Sequence, residues 1–223
     1  MSTIRTNAIV DAAGGNTTTV NGTLIPASGV TLVSTNETQT LTNKTLTSPT
    51  ITGASITGST VSGGTIATGT VWTYSTPVSS VDFPGIPSGV QRVTVMFGGV
   101  STNGTSPPLL QIGSGSVTTT GYLGANTTTS SGAATANFTT GFGIGTSVNQ
   151  WTAAAVAHGA ISITLISGNT WACSGIVGLS SGPQLFYTAG SVTLTGTLDR
   201  IRVTTLGGTD TFDAGSINIM WEG

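Results

Sequence analysis

The sequence predicts an all-β protein, with an intertwined trimeric β-stalk followed by an antiparallel β-sandwich or jelly-roll knob. Three observations predict this fold class. Residues 41–71 repeat with a period of five, the residues beyond them alternate in short apolar segments between Gly- and Thr-rich turns, and no segment has a helical period of useful length. The predicted organisation is an amino-terminal anchor in residues 1–40, the stalk in residues 41–71 and the knob in residues 72–223.

The stalk is predicted from an aliphatic residue at every fifth position, with mostly Thr, Ser, Gly and Ala in between. The stripe consists of Leu41, Leu46, Ile51, Ile56, Val61, Ile66 and Val71. On an α-helix a step of five turns about 140° around the axis, so no face forms. On a straight strand an odd spacing alternates between the two sides. The aliphatic residues make one stripe only if the chain bends once per repeat, which the Gly, Pro and Ser positions allow.

One chain cannot bury this stripe by itself. A stretch of about thirty residues makes fewer than about two coils of a pentapeptide solenoid, so the aliphatic side chains would face water. Three identical chains that wind together can point their stripes at a common axis, as cyclic homo-oligomers do. We therefore expect a homotrimer with the stripe as the core of its stalk. The alternative is a disordered linker rich in Thr and Gly.

The chain carries unusually little charge. Charged residues make up 5% of the sequence, against about 25% in ordinary soluble proteins. No Lys, Arg, Asp or Glu occurs between Arg92 and Asp199. Such a surface is either covered with hydroxyl and amide groups or buried against copies of itself. The net charge of −2 without a basic patch argues against a nucleic-acid partner, and the lack of an apolar run of about eighteen residues argues against a membrane span.

Alternating apolar residues mark the strands of the knob. In residues 90–97, 161–166 and 216–221 every second side chain is apolar, as on a strand with one buried face. These residues are Val93, Val95, Phe97, Ile161, Ile163, Leu165, Ile217, Ile219 and Trp221. QLFYT and VTLTG are expected to be separate strands, and some eight strands are expected in all. Residues 133–151 are too rich in Gly to place and are expected to form long loops.

The amino-terminal segment contains two short apolar patches. The first surrounds Ile4 and Ile9, the second surrounds Val20 and Leu24, and the pair Gly14–Gly15 lies between them. Two strand-like pieces with an intervening turn are expected. Because the segment has no core large enough to fold alone, it is expected to gain order by docking onto a partner.

Several segments resemble bacteriophage proteins. TNKTLTSPTITG in residues 42–53 resembles the stalk segments of phage tail fibres and other virion appendages, and residues 2–22 resemble their amino-terminal segment. FPGIPSGVQRVTVMFGGVSTNGTS and LDRIRVTTLGGTDTFDAGSINIMWEG resemble a knob domain found at their carboxyl ends.

The resemblance implies a homotrimeric, non-enzymatic structural protein of the virion, assembled in the cytoplasm of the bacterial host. Residues 1–40 would attach it to other virion proteins of the capsid or the tail. The chain is short for a tail fibre, so the resemblance is also compatible with a capsid-decorating short fibre or cement protein. The alternative is a receptor-binding tail fibre whose knob recognises a host-surface glycan.

The sequence offers little for catalysis. His158 is the only histidine and has no acidic residue near it in the sequence. The carboxylates of Asp199, Asp210 and Asp213 are expected to be solvated in turns or paired with Arg200 or Arg202. A polysaccharide-degrading tailspike would need paired carboxylates, but residues 83–198 contain no Asp or Glu. We therefore expect no catalytic residue, no metal site and no cofactor.

The four tryptophans are the best candidates for ligand contact, because an aromatic face can stack on a sugar ring. Trp171 and Trp221 lie in strand-like segments among apolar residues and are expected in the core. Trp151 follows a Gly-rich stretch and Trp72 lies at the junction of stalk and knob. Trp151 and Trp72 are therefore the candidate glycan contacts.

The stripe predicts different effects for two neighbouring substitutions. Ile56→Asp would place three carboxylates at a dry axis, where an unpaired buried ion costs several kcal/mol. Ser59→Asp would face water and should change stability by no more than about 0.5 kcal/mol. Light scattering of the two variants at equal concentration should show loss of the trimer for Ile56→Asp only. Equal behaviour of the two variants would mean that the period-five stripe is not the buried one.

Overall fold

The structure is a computed structural model that describes residues 18–20, 23–25, 66–129, 134–146 and 151–223. These residues form antiparallel β-sheets and contain no helix, which confirms the predicted all-β class. They belong to two units, one within residues 1–59 and one within residues 60–223, and each is described by itself. The stripe positions Leu41, Leu46, Ile51, Ile56 and Val61 lie outside the described residues, as do Ile4, Ile9 and Gly14–Gly15.

The amino-terminal unit contains a small antiparallel hairpin among its described residues. Strand β1 (Thr18–Val20) pairs with strand β2 (Thr23–Ile25), so that Thr18 lies opposite Ile25. In the sequence the strands are separated by Asn21 and Gly22, a dipeptide that favours a two-residue hairpin connection. The second apolar patch of the sequence therefore lies on this hairpin.

The larger unit has fourteen strands in two antiparallel sheets among its described residues. Its strands are β3 (Ile66–Thr68), β4 (Trp72–Thr73), β5 (Ser80–Pro84), β6 (Arg92–Thr102), β7 (Pro108–Ser114), β8 (Ser116–Val117), β9 (Leu123–Thr128), β10 (Thr135–Phe138), β11 (Phe142–Gly143), β12 (Ala157–Ser167), β13 (Thr170–Leu179), β14 (Gln184–Thr193), β15 (Arg200–Thr205) and β16 (Phe212–Glu222). The nine-stranded sheet has the order β10-β9-β14-β13-β12-β6-β16-β3, with β4 also on β16. The five-stranded sheet has the order β11-β7-β15-β5, with β8 on β7.

Residues from both sheets share one hydrophobic core. The alternation read from the sequence is confirmed: the predicted inward residues Val93, Val95, Ile161, Ile163, Ile217 and Ile219 are each at most 1% exposed. Ile112 and Ile201 of the five-stranded sheet belong to the same cluster and are fully buried. Leu165 and Trp221 are only partly buried and pack against its border. Truncating an interior Ile to Ala in such a core typically costs about 2–5 kcal/mol.

Tyr122 is a core residue that sequence reasoning did not single out. It is 1% exposed, and its ring packs edge-on against Phe142 with centroids 4.9 Å apart. Its hydroxyl accepts a hydrogen bond from the Ile112 amide at 2.8 Å and lies 3.1 Å from the Thr118 carbonyl oxygen, to which it donates. Burial raises the pKa of this hydroxyl above its ordinary value. The buried polar group is stable here because it both donates and accepts.

The Gly-rich segment is not simply a set of long loops, so that expectation was wrong in part. It contributes strands β10 and β11, and Phe142 and Ile144 within it are buried. Gly143 allows this packing, because the ring of Phe138 occupies the place where a Cβ would lie. The sequence does not reveal this packing, because the need for glycine at this position comes from a ring that only the tertiary structure brings close to it.

QLFYT and VTLTG also differ from the prediction. Most of their residues belong to a single ten-residue strand, β14, which continues through Ala189 and Gly190. Gly190 faces the backbone of strand β9 so closely that a Cβ would lie 2.6 Å from the Leu123 carbonyl oxygen. Glycine here marks a close approach of two strands rather than a turn.

Cys173 provides a chemical test of this core. Its side chain is 3% exposed, and burial raises the pKa of the thiol to about 12. The reactive species is the thiolate, so a thiol whose pKa is raised stays protonated and unreactive at about pH 8. We expect iodoacetamide to leave Cys173 unmodified in the folded full-length chain and to modify it completely in concentrated urea. Rapid modification of the folded chain, at the rate of free cysteine, would place Cys173 outside the core.

Candidate assembly surface

The described end of the aliphatic stripe is exposed on this chain. Ile66 and Val71 are 67% and 53% exposed. Ile66 lies on the short edge strand β3, opposite Glu222 of strand β16. Burying a fully exposed Ile or Val side chain is worth about 1.5–3 kcal/mol. The fold of one chain therefore leaves both of these apolar side chains in contact with water.

Trp72 is mainly a packing residue at the start of the knob. It lies opposite Ile217 in the sheet, and its ring meets the buried Phe212 edge-on at 5.9 Å between centroids. The side chain is only partly buried, so some of its surface still faces solvent. Of the two tryptophans proposed as glycan contacts, Trp72 is the one that keeps an accessible surface.

Trp151 lies inside the core and is 1% exposed. Its indole Nε1 donates a hydrogen bond to the Thr102 hydroxyl at 2.8 Å, and its ring packs against Phe186 at 6.4 Å between centroids. A sugar could not stack on either face of the indole without displacing core side chains. The expectation of a glycan contact at Trp151 is therefore not retained. No local sequence pattern indicates this burial, because the partner Thr102 is distant in the chain.

Trp221 occupies a different place from the one expected. Its side chain packs against the core but is only half-buried, since β16 has only the short strands β3 and β4 beyond it. It lines one cleft between the two sheets together with Thr68, Thr70 and Asp82. Trp221 also lines a second cleft, together with Pro87, Ser88, Gly89, Val90 and Gly223. The alternation in residues 216–221 predicted its inward direction but not the position of its strand near the sheet edge.

His158 is exposed and has polar, uncharged neighbours. Its Nδ1 accepts a hydrogen bond from the Gly99 amide at 3.2 Å, and its Nε2 lies 3.2 Å from the Ser180 hydroxyl. These contacts join the start of strand β12 to strand β6 and to the turn after strand β13. The geometry is that of a structural surface histidine.

Asp199, Asp210 and Asp82 hold loops and strands in place, whereas Asp213 differs from the expectation, because its Oδ1 is buried without a hydrogen-bond partner among the described residues. Asp199 pairs with Arg200 at 2.7 Å and accepts the Gly115 amide at 2.9 Å, and the bond from Arg200 lowers the pKa of Asp199 below its usual value. Asp210 accepts the Ser106 amide at 2.8 Å. Arg202 pairs across strands with Asp82 at 2.6 Å. Within the described ranges, no three His, Cys, Asp or Glu side chains are grouped so that they could hold a metal ion.

A comparison with protein-family models, with curated proteins and with solved structures finds no match for this chain. In the part of the chain that the structure describes, no helix is long and apolar enough to cross a membrane. The feature that most clearly calls for a partner is the exposed aliphatic pair Ile66 and Val71.

Proposed function

We propose that this protein is a non-enzymatic structural protein of a bacteriophage virion. It would be a homotrimeric short fibre or cement protein that attaches to the capsid or tail through residues 1–40. The observation that carries this proposal is the period-five stripe, whose two described members, Ile66 and Val71, are 67% and 53% exposed on the single chain. A stripe that the chain itself leaves exposed is what three parallel copies would bury at their axis.

The proposed architecture has three parts. Residues 1–40 dock onto the virion, residues 41–71 of three chains wind into a β-stalk, and residues 72–223 form a β-sandwich or jelly-roll knob. Two antiparallel sheets with one common core support the sandwich. The pairing of Ile66–Thr68 with Met220–Glu222 supports a direct connection, because the last part of the repeat is already a strand of the nine-stranded sheet.

The proposal makes a prediction about mass and about attachment. Full-length protein at micromolar concentration should scatter light as a particle of about three times the chain mass of 22.1 kDa. A chain of residues 41–223 should remain a soluble trimer, because stalk and knob are intact, but should no longer bind virions that lack the protein. We assign the attachment to residues 1–40 because this segment has no core large enough to fold alone and is expected to dock onto a partner.

Two results would contradict this. If the full-length protein is a monomer, the proposed trimeric stalk is wrong. If the shortened trimer binds the deficient virions as tightly as the full-length trimer does, the attachment site lies in the knob and not in residues 1–40. As a control, full-length protein should bind the same deficient virions, and an isolated 1–40 peptide at high concentration should compete with it.

A second candidate function is glycan recognition by the knob, and the cleft beside Trp221 favours it. The cleft is lined by a partly exposed indole, by the hydroxyl-bearing residues Thr68 and Thr70, and by Asp82, whose two carboxylate oxygens are bonded to Arg202. An indole stacks on the apolar face of a sugar, while hydroxyl and carboxylate oxygens accept hydrogen bonds from its hydroxyl groups. A tail fibre that recognises a host-surface polysaccharide would need a surface of this kind.

Saturation-transfer NMR with glucose, galactose and N-acetylglucosamine tests this candidate. If the cleft binds sugar, the full-length protein should transfer saturation to at least one of them, and Trp221→Ala should abolish the transfer. Trp151→Phe is the matched control, because Trp151 is buried and should not affect binding. Absence of transfer from the unsubstituted protein, or transfer that survives Trp221→Ala, would exclude the cleft as the site for these sugars.

A further inference from the structure

The outer side of the nine-stranded sheet is nearly free of charge. Five neighbouring strands of ten or eleven residues, β14, β13, β12, β6 and β16, form most of it. We name their outward residues the neutral face: Leu185, Tyr187, Ala189, Ser191, Thr193, Thr170, Ala172, Ser174, Ile176, Gly178, His158, Ala160, Ser162, Thr164, Arg92, Thr94, Met96, Gly98, Ser216, Asn218, Met220 and Glu222. At one end Arg92 and Glu222 neutralise each other in an ion pair, His158 lies near the other end, and Asp213 lies beyond the face in the bulged start of strand β16.

This composition is unusual for a sheet surface in contact with water. An antiparallel sheet with one solvated face normally carries polar and charged side chains there. The neutral face instead presents apolar side chains among small ones. Ile176 lies directly opposite Tyr187, and they are 48% and 39% exposed. Leu185, 41% exposed, lies over Gly178.

The five-stranded sheet provides the contrast within the same unit. Its outer side carries Asp82 and Arg202 as a cross-strand ion pair, and Arg200 follows the same alternation on strand β15. The two sheets share one core, so the difference lies in what their outer sides meet. An outer side with ion pairs suits water, whereas an uncharged one suits a protein surface.

Four of the nine hydroxyl-bearing residues of the neutral face are paired with each other across strands. The hydroxyls of Thr94 and Ser162 lie 3.3 Å apart across strands β6 and β12, and those of Thr170 and Thr193 lie 2.9 Å apart across strands β13 and β14. Covering a hydroxyl costs free energy mainly when it loses its hydrogen bond. These pairs would remain bonded if water were removed from the face.

The register of the sheet connects this face to the exposed stripe. Ile66 lies opposite Glu222, Glu222 opposite Arg92, and Arg92 opposite Thr164. Residues that lie opposite each other in a sheet point to the same side. Ile66, the sixth residue of the stripe, therefore points to the same side of the sheet as the neutral face.

We propose that the neutral face is a contact between the knobs of neighbouring copies in the trimer, in addition to the stalk. The inference rests on the proposed trimer: if Ile66 is buried at the three-fold axis, the face that shares its direction is turned toward the neighbouring copies. Five strands about 4.8 Å apart and about 33 Å long cover roughly 800 Å². This is comparable with the roughly 800 Å² that one partner contributes to a stable interface of two copies, and in the trimer the two neighbouring copies would share it. A second copy suits the face because it offers an equally uncharged surface.

Thiol protection in the full-length protein tests this contact. Ala160 is exposed at the centre of the neutral face, opposite Ile176 on one side and Met96 on the other. Ser116, on strand β8 of the five-stranded sheet, is also exposed and serves as the matched control. Iodoacetamide should modify Ala160→Cys at least about tenfold more slowly than Ser116→Cys, because the interface must open first. After unfolding in urea the two variants should react equally fast.

The outcomes separate this inference from the proposed trimer. If the protein has the trimer mass but Ala160→Cys reacts as fast as Ser116→Cys, the neutral face is open and the inference is wrong while the trimer stands. If the mass is that of a monomer, the proposed function and the inference both fail. Continued protection of the buried Cys173 reports that each variant is folded. A second pair of variants gives an independent readout: Ala160→Arg should lower the thermal midpoint of the trimer, and Ser116→Arg should not. Equal midpoints for this pair would also overturn the inference.

Discussion

The hydrogen-bonded pairing of the last strand, Phe212–Glu222, holds the larger unit together. On one side this strand runs along Arg92–Thr102, the first long strand of the unit, and on the other it pairs with Ile66–Thr68 and Trp72–Thr73. The strand thus joins the end of the repeat to the core through backbone bonds. Its inward residues Ile217 and Ile219 fill the core, while Glu222 at its outer side pairs with Arg92. The direction in which Ile66 points is set by this register.

The few charged side chains of this protein are distributed unequally between its two sheets. Two of the three ion pairs of the described residues lie on or beside the five-stranded sheet, where Arg202 and Arg200 have carboxylate partners. The larger sheet keeps Arg92 and Glu222 at one end and His158 and Asp213 toward the other, and between them its outer side consists mainly of small, hydroxyl-bearing or apolar side chains. Exposed ion pairs contribute little to stability, typically about 0–1 kcal/mol. Their distribution therefore says more about which surface meets water than about what holds the fold together.

Much of the core could be predicted from the sequence, and the candidate site only in part. The alternation around Val93, Ile161 and Ile217 predicted strands with one buried side, and the structure confirms it. The stripe predicted an apolar surface, and its described members are exposed on the single chain. The placement of the tryptophans was less predictable. Trp151 is buried by contacts with Thr102 and Phe186, and neither residue is near it in the sequence.

The sequence by itself determined the all-β class, the low charge and the side of each alternating strand that is buried, because these follow from side-chain chemistry and from the two-residue period of a strand. Only the tertiary structure decided which strands are neighbours. That order places Trp221 beside an open cleft, aligns Ile66 with the outer side of the larger sheet, and makes Gly143 and Gly190 sites of close approach. The physical reason is that pairing between distant strands depends on hydrogen-bond register and on the fit of facing side chains, and neither can be read from local spacing.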